Sequence, residues 1–326
     1  MRLIGFAVVL AVSVTALLAA EAQTTTKVYR VGVLASSTEA NFEPSIKVFR
    51  EALKAAGWLE GRNLTLDIRY PGQQYARLQE LATELVGLKV DVFATLGTPA
   101  TLAAKRATTT IPIVMESLSD VVSTGLVPNL ARPGGNVTGV SGFAPELSGK
   151  RLELIREISP RADRIAVLAN RANPVTVPIL RATESAAQQI RLKLLVHDVR
   201  QPAELRPAFE TMVREHADAL ILVADPMLFS ERPLIVQLAA SYRVPAVYEN
   251  RLFPEAGGLL SYGPLPQERF QRMAVYVDRI LRGARPGDLP IERPTTFELV
   301  INLKTAKAIG LAIPQSLLVR ADEIIQ

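Results

Sequence analysis

Two tetrapeptides hold residue types and spacing suited to gripping a small charged molecule. Gly97-Thr98-Pro99-Ala100 and Ala224-Asp225-Pro226-Met227 each follow an apolar run, and each places a capping residue directly before a proline. Proline is favoured at the first helical position, where its missing N–H is not needed, and Thr and Asp are favoured at the cap before it. The two caps differ in charge. Thr98, with the N–H groups of its helix start, makes an anion site suited to a carboxylate. Such a terminus contributes on the order of 0.3–1 kcal/mol, up to about 2 when partly buried. Asp225 can accept an ammonium. A carboxylate held by one half of the chain and an amine by the other would select an amino acid and draw the halves together. The plainer reading is that both residues only cap their own helices.

The elements that must position these caps follow from periodicity. Residues 31–34 read as a buried strand, 46–56 as a helix stopped by Gly57, and 64–70 as a second strand. A helix through Leu78, Leu81, Leu85 and Leu88 leads to a strand at 91–96, a helix from Pro99 to about Ala107, and a strand at 111–115. The same alternation then repeats: strand 164–168, helix 177–190, strand 192–196, helix 203–215, strand 218–223, helix 228–240 and strand 244–248. Leu78 and Leu205, Asp91 and Asp218, and Pro99 and Pro226 share one offset of 127 residues, which marks a duplication. Strands alternating with helices imply βαβ units and parallel sheets. After both halves come a strand at 257–263, a helix at 267–282, a strand at 296–301 and a short helix at 303–309. A chain that returns to its first half and crosses again must cross three times. Those crossings are expected near residues 139–143, 249–257 and 283–294. The expected fold is thus α/β: two Rossmann-like lobes with parallel sheets joined by a three-strand hinge, with 27–140 plus 250–285 in lobe 1 and 141–249 plus 286–326 in lobe 2.

Ligands of open parallel sheets sit beyond the carboxyl ends of the strands, so strand-end residues are the site candidates. Besides Gly97, Thr98 and Asp225, these are Ser36 and Ser37, their counterparts Asn170 and Asn173, and Ser119 and Asp120 in the 116–120 stretch. Glu249 in the 248–250 stretch, Ser141 on the first crossing and Tyr262 on the returning strand complete the set. Trp58 and His216 read as packing and surface residues. Catalytic patterns are missing: there is no G-x-G-x-x-G, no phosphate-loop lysine, and the 139–143 stretch lacks the second glycine of a nucleophile elbow.

Composition narrows the class. There are no cysteines and two histidines, which leaves no disulfide, thiol nucleophile, lipobox or histidine-rich metal site, and no cofactor is expected. The net charge is +5, but the basic residues are scattered without aromatic interleaving, so no nucleic-acid partner is expected. Arg2, an apolar run from Leu3 to Ala20 and the Ala20-Glu21-Ala22 site read as a secretory signal peptide over 1–22, cleaved and not lipidated. An exported chain with no anchor is expected in a periplasm.

The stretches 57–63, 97–100, 131–139, 257–263 and 297–307 (Gly57-Trp58-Leu59-Glu60-Gly61-Arg62-Asn63 and Ala131-Arg132-Pro133-Gly134-Gly135-Asn136-Val137-Thr138-Gly139 among them) resemble one family across nearly the whole mature chain. This is the ABC-transporter substrate-binding family that includes tryptophan- and tyrosine-type binding proteins, of the type I periplasmic binding protein fold. That family usually reads Ser-Asp-Pro-Val-Gly where this chain has Ser119-Asp120-Val121-Val122-Ser123. The resemblance implies a monomer that closes on a small molecule and presents it to an ABC permease and its ATPase, touching the membrane only through the permease. Two other classes share such an architecture: a ligand-sensing receptor, disfavoured because no helix-turn-helix precedes Val31 and no signalling domain follows Gln326, and a two-lobed enzyme, disfavoured by the missing catalytic set.

Overall fold

The computed structural model describes residues 27–326 apart from 73, 118–119, 143–144 and 174; the signal peptide and Ser119 lie outside the described residues. Two sheets organise the chain. The first contains β1 (Tyr29–Ala35), β2 (Leu64–Arg69), β3 (Val92–Leu96), β4 (Ile113–Ser117) and β5 (Val137–Ser141), in the order β2-β1-β3-β4-β5 with every pair parallel. The second contains β6 (Arg164–Ala169), β7 (Lys193–Asp198), β8 (Ala219–Leu222), β9 (Ala246–Tyr248), β10 (Leu260–Pro264), β11 (Phe297–Asn302) and β12 (Glu323–Ile325). Its order is β12-β11-β10-β9-β8-β6-β7, with only the β10–β11 pair antiparallel.

Helices cover both faces of each sheet. In the first lobe, α1 (Glu39–Ala55) packs on one face, and α2 (Leu78–Gly87) and α3 (Thr98–Ala107) on the other. In the second, α4 (Pro145–Ile158) and α5 (Thr176–Gln189) lie opposite α6 (Leu205–Arg214), α7 (Pro226–Ser230) and α8 (Arg232–Ser241). Then α9 (Leu252–Glu255) leads into β10, and α10 (Pro266–Leu281) returns to pack beside α1. The chain ends with α11 (Leu303–Ala308) and α12 (Gln315–Arg320). The period of two decides which residues meet which helices. Val31, Val33 and Ala35 join Phe49, Leu53 and Tyr276, whereas Leu34 joins Leu81 and Leu85. Each fully buried Val, Leu or Phe among them contributes roughly 1.5–3 kcal/mol relative to exposure.

The duplication is visible in atoms. Asp91 accepts from the Arg30 backbone N–H at 2.8 Å, and Asp218 does the same for Arg164 at 2.8 Å. Lys89 and His216 each hold a left-handed turn at φ 56° and 55° just before those aspartates. His216 therefore serves the helix-to-strand turn.

One segment lies elsewhere than the sequence suggested. Residues 257–263 were expected to return to the first lobe, but β10 pairs with β9 and β11 of the second sheet. The second crossing falls at 264–266, after β10, instead of at 249–257, and α10 returns with the following residues to 291, where Leu289 and Ile291 pack in the first lobe. The other crossings run between β5 and α4 and along 292–297, where Glu292 bridges Val140 before β11 begins. At the first of these, Gly139 has φ 130°, and a Cβ on it would stand 2.2 Å from the Met115 carbonyl oxygen. Left-handed strain costs roughly 1–2 kcal/mol before any clash. Gly139→Ala should therefore lower the melting temperature by at least about 4 °C. Gly135→Ala, with nothing within 4 Å of its Cβ, should move it little. Equal melting curves for the two variants would refute this account of the hinge strand.

Candidate functional site

The carboxyl ends of β1, β3 and β4 face those of β8 and β9 across a cleft with about 830 Å³ of free space, counting its open mouth. Part of the lining is apolar: Phe42, Phe229 and Phe270 contribute to it with Pro99, Pro226 and Pro266. Phe229 is fixed by an edge-on contact with Phe253 at 6.1 Å and by the Arg232 guanidinium 4.6 Å from its ring centroid. Another part is charged, with Glu116, Asp225, Glu249 and Arg269 on the wall. A smaller chamber of about 470 Å³ shares Glu249, Asn250, Ala224 and Arg269 with the cleft and adds Arg151 and Ser148.

Of the residues singled out from sequence, Ser37, Gly97, Thr98, Asn173, Asp225 and Glu249 line the cleft. The others among the described residues are absent from that lining. Ser36 is fully buried; its hydroxyl donates to the Leu96 carbonyl at 2.7 Å and accepts from Ala100 N–H at 3.2 Å. The helix α3 is thus capped by Ser36 and starts one residue earlier than expected: Gly97 is the N-cap, and the Thr98 hydroxyl lies 2.6 Å from that of Ser117. Only glycine suits that cap, since Gly97 has φ 92° and a Cβ there would stand 2.5 Å from Ser36 Oγ. Asp120 accepts from Val122 and Ser123 N–H and shapes its own turn. Ser141 belongs to the hinge, where its N–H donates to Glu292. Tyr262 stacks on Phe297 with ring centroids 6.2 Å apart.

Asp225 caps α7 as expected, accepting from Met227 and Leu228 N–H at 2.9 and 3.0 Å. It also accepts from Asn173 at 2.9 Å, from Asn170 at 3.3 Å to either oxygen, and from the Tyr75 hydroxyl at 3.0 Å. Burial raises its carboxyl above the usual range, and these donors oppose the rise. A carboxylate so fully engaged has little capacity for a ligand ammonium, which alters the role read from sequence. Tyr75, in a 3-10 turn of the first lobe, is itself pushed up by burial and by the Asp225 charge, so it remains a donor. The contact joins the lobes. Three more do so beside the cleft: Ser37 Oγ lies 2.8 Å from Ser230 Oγ, Asn41 donates to Ser230 at 2.5 Å, and Arg232 donates to Asn41 at 2.8 Å.

The charged wall holds two opposite pairs. Arg269 Nη1 donates to Glu116 Oε1, both residues being buried. Burial raises the Glu116 carboxyl and Arg269 opposes it. Burial likewise raises Glu249 and lowers Arg151, each charge opposing the shift of the other. Arg151 donates through Nε to the Tyr262 carbonyl at 2.9 Å. Among these residues, Asn41, Tyr75, Arg151, Ser230, Arg232 and Arg269 are not among the sequence candidates. A signal for Arg269 existed, because it falls on the apolar stripe of α10 with Met273, Tyr276 and Ile280, where a charge needs a buried partner.

Two α/β lobes with strand ends facing a shared cleft and three hinge crossings define the type I periplasmic binding protein class. A crystal structure of a conserved domain protein from Vibrio cholerae is similar, with TM-score 0.87 and 29% identity over 91% of this chain and 100% of that one. So is an ABC domain in complex with L-Trp from Streptococcus pneumoniae, with TM-score 0.86 and 25% identity over 92% and 100%. A tyrosine-binding protein of Clostridioides difficile is 25% identical over 86% of this chain and 81% of its own. Residues 30–325 match the family model described as ABC transporter substrate binding protein, and the chain belongs to that family. Such proteins bind a small molecule and deliver it to an ABC permease. Among the described residues no helix is long and apolar enough to cross a membrane.

The interlobe bonds make a testable latch. A hydrogen bond to a charged group contributes about 1.5–3 kcal/mol, so Tyr75→Phe should shift the ligand-free protein toward an open form roughly ten- to hundredfold. Small-angle scattering should record a larger radius of gyration with little change in melting temperature; an unaltered scattering curve would remove Tyr75 from this role. Asp225→Asn disrupts the cap as well and should destabilise the fold by about 1–2 kcal/mol, measured by urea denaturation.

Proposed function

We propose that this protein is the periplasmic solute-binding component of an ABC importer and that its solute is an amino acid with an aromatic side chain. The observation that carries this reading is that the cleft lining combines two kinds of surface, three phenylalanine rings in one region and four buried charged residues as a second. An aromatic ring suits the first region, since rings pack offset or edge-on and bury about 150–250 Å² each. A zwitterionic head suits the second. Relatives named for tyrosine and L-Trp support the same class. Binding proceeds by closure: the solute settles on one lobe, and its contacts to the other favour the closed state. The exported chain then docks on its permease, with no nucleic-acid partner and no catalytic step.

Purified mature protein should be screened by thermal shift and calorimetry against L-tyrosine, L-tryptophan, L-phenylalanine, aliphatic amino acids and sugars. At a hundredfold excess over Kd, a ligand adds about 2.7 kcal/mol, so an aromatic amino acid should raise the melting temperature by roughly 5 °C or more. Phe229→Ala should weaken that ligand about ten- to hundredfold. A response to sugars or aliphatic amino acids with none to aromatic ones would refute the reading.

A further inference from the structure

We propose that the amino-acid head is recognised by Glu249 and Arg269, with the ammonium on Glu249 of the second lobe and the carboxylate on Arg269 of the first. This rests on the reading of the solute as an aromatic amino acid and locates its head away from the Thr98–Asp225 pair that the sequence favours. Glu249 is 7% exposed and Arg269 4%, yet Glu249 Oε2 and Arg269 Nε are buried without any hydrogen-bond partner. Both residues line the cleft and also the smaller chamber, so each side chain belongs to the wall that the two spaces share. Buried polar atoms are ordinarily satisfied, because an unmet donor or acceptor carries the desolvation penalty of its group. Asp225 has five protein donors and Ala100 N–H already has Ser36, so neither sequence-favoured anchor offers comparable capacity.

The charges suit this assignment. Glu249 faces the Arg151 guanidinium and Arg269 holds Glu116, so each lobe presents an internally balanced pair with one unused valence. A zwitterion adds no net charge and supplies both missing partners. It also spans the lobes, because Arg269 sits on α10, packed against the first sheet, and Glu249 follows β9 of the second. A ligand lacking either head group would fill the phenylalanine-lined chamber but would leave one lobe unheld.

The test is calorimetric titration of the mature protein with L-tyrosine and L-tryptophan, with their deaminated acids (3-(4-hydroxyphenyl)propionate and indole-3-propionate), and with tyramine and tryptamine. In the wild type, loss of either head group should weaken binding about ten- to hundredfold, as for a lost charge-assisted hydrogen bond. In Glu249→Gln, removing the amine should change affinity less than about threefold. In Arg269→Lys, which keeps a cation beside Glu116, removing the carboxylate should matter similarly little. Should Glu249→Gln fail to fold, Glu249→Asp shortens the same side chain and should shrink the amine-dependent term. An amine term that persists in the Glu249 variants, or that disappears in Asp225→Asn instead, overturns the assignment while leaving aromatic amino-acid binding intact. If the wild type binds no aromatic amino acid at all, both the solute reading and this assignment fall.

Discussion

The Asp225 carboxylate is the point at which the two lobes are referred to one another. A buried carboxylate must be met by donors or give up its charge. Here the donors come from the start of α7, from the loop after β6 and, through Tyr75, from the opposite lobe. Each donor fixes a different element. The α7 N–H groups set the angle at which Phe229 enters the cleft, and Asn170 with Asn173 hold the β6 loop against the β8 end. Tyr75 registers the first lobe against that assembly. A change in any of these shapes the cleft even though none needs to touch a solute.

The distribution of formal charge explains how such a cleft can open. Separating a buried ion pair leaves an uncompensated charge, which costs several kcal/mol if water cannot reach it. Glu116 and Arg269 both belong to the first lobe, and Glu249 and Arg151 both to the second. Opening therefore parts no carboxylate from its own guanidinium. What it breaks is a set of hydrogen bonds through hydroxyl, amide and guanidinium groups, from Tyr75, Ser37, Asn41, Ser230 and Arg232. Water replaces such partners at limited net cost, about 0.5–1.5 kcal/mol for a neutral bond and about 1.5–3 kcal/mol where one partner is charged, as for Tyr75 on Asp225. Closure is thus reversible by construction, with the strong pairs kept inside each lobe.

Much of the architecture was legible because duplication leaves chemical marks. Asp91 and Asp218 share an offset and perform the same backbone contact, and the paired 3-10 turns before Leu78 and Leu205 follow suit. The helix start at Thr98 was misplaced by one residue because Pro99 suggests a cap just before it. The Gly97 conformation and the Ser36 hydroxyl, distant by 61 positions, are invisible to local reading. The segment 257–263 was assigned to the wrong sheet for a related reason: its pattern says strand but not which neighbour it pairs with, and antiparallel β11 is chosen by tertiary context. Helix α4 went unread because Gly149 and a run of charged residues dilute its apolar stripe, although Leu152, Ile155 and Ile158 are buried. Arg151, which sits on that helix, went unread with it.

Apolar and polar ends of the cleft divide the work unequally. An aromatic ring that buries about 150–250 Å² gains roughly 4–6 kcal/mol at 25 cal/mol/Å². Micromolar binding needs about 8 kcal/mol beyond the cost of immobilising the ligand. The ring region therefore cannot account for such affinity alone, and the rings offer little directionality with which to tell one apolar group from another. The charged region must supply the remainder. Its charged groups are buried in both lobes, and in the proposed assignment a neutral dipolar head meets one charge on each side. A site of that form holds its occupant most tightly when the lobes are shut, which makes closure itself the report that the cleft is filled.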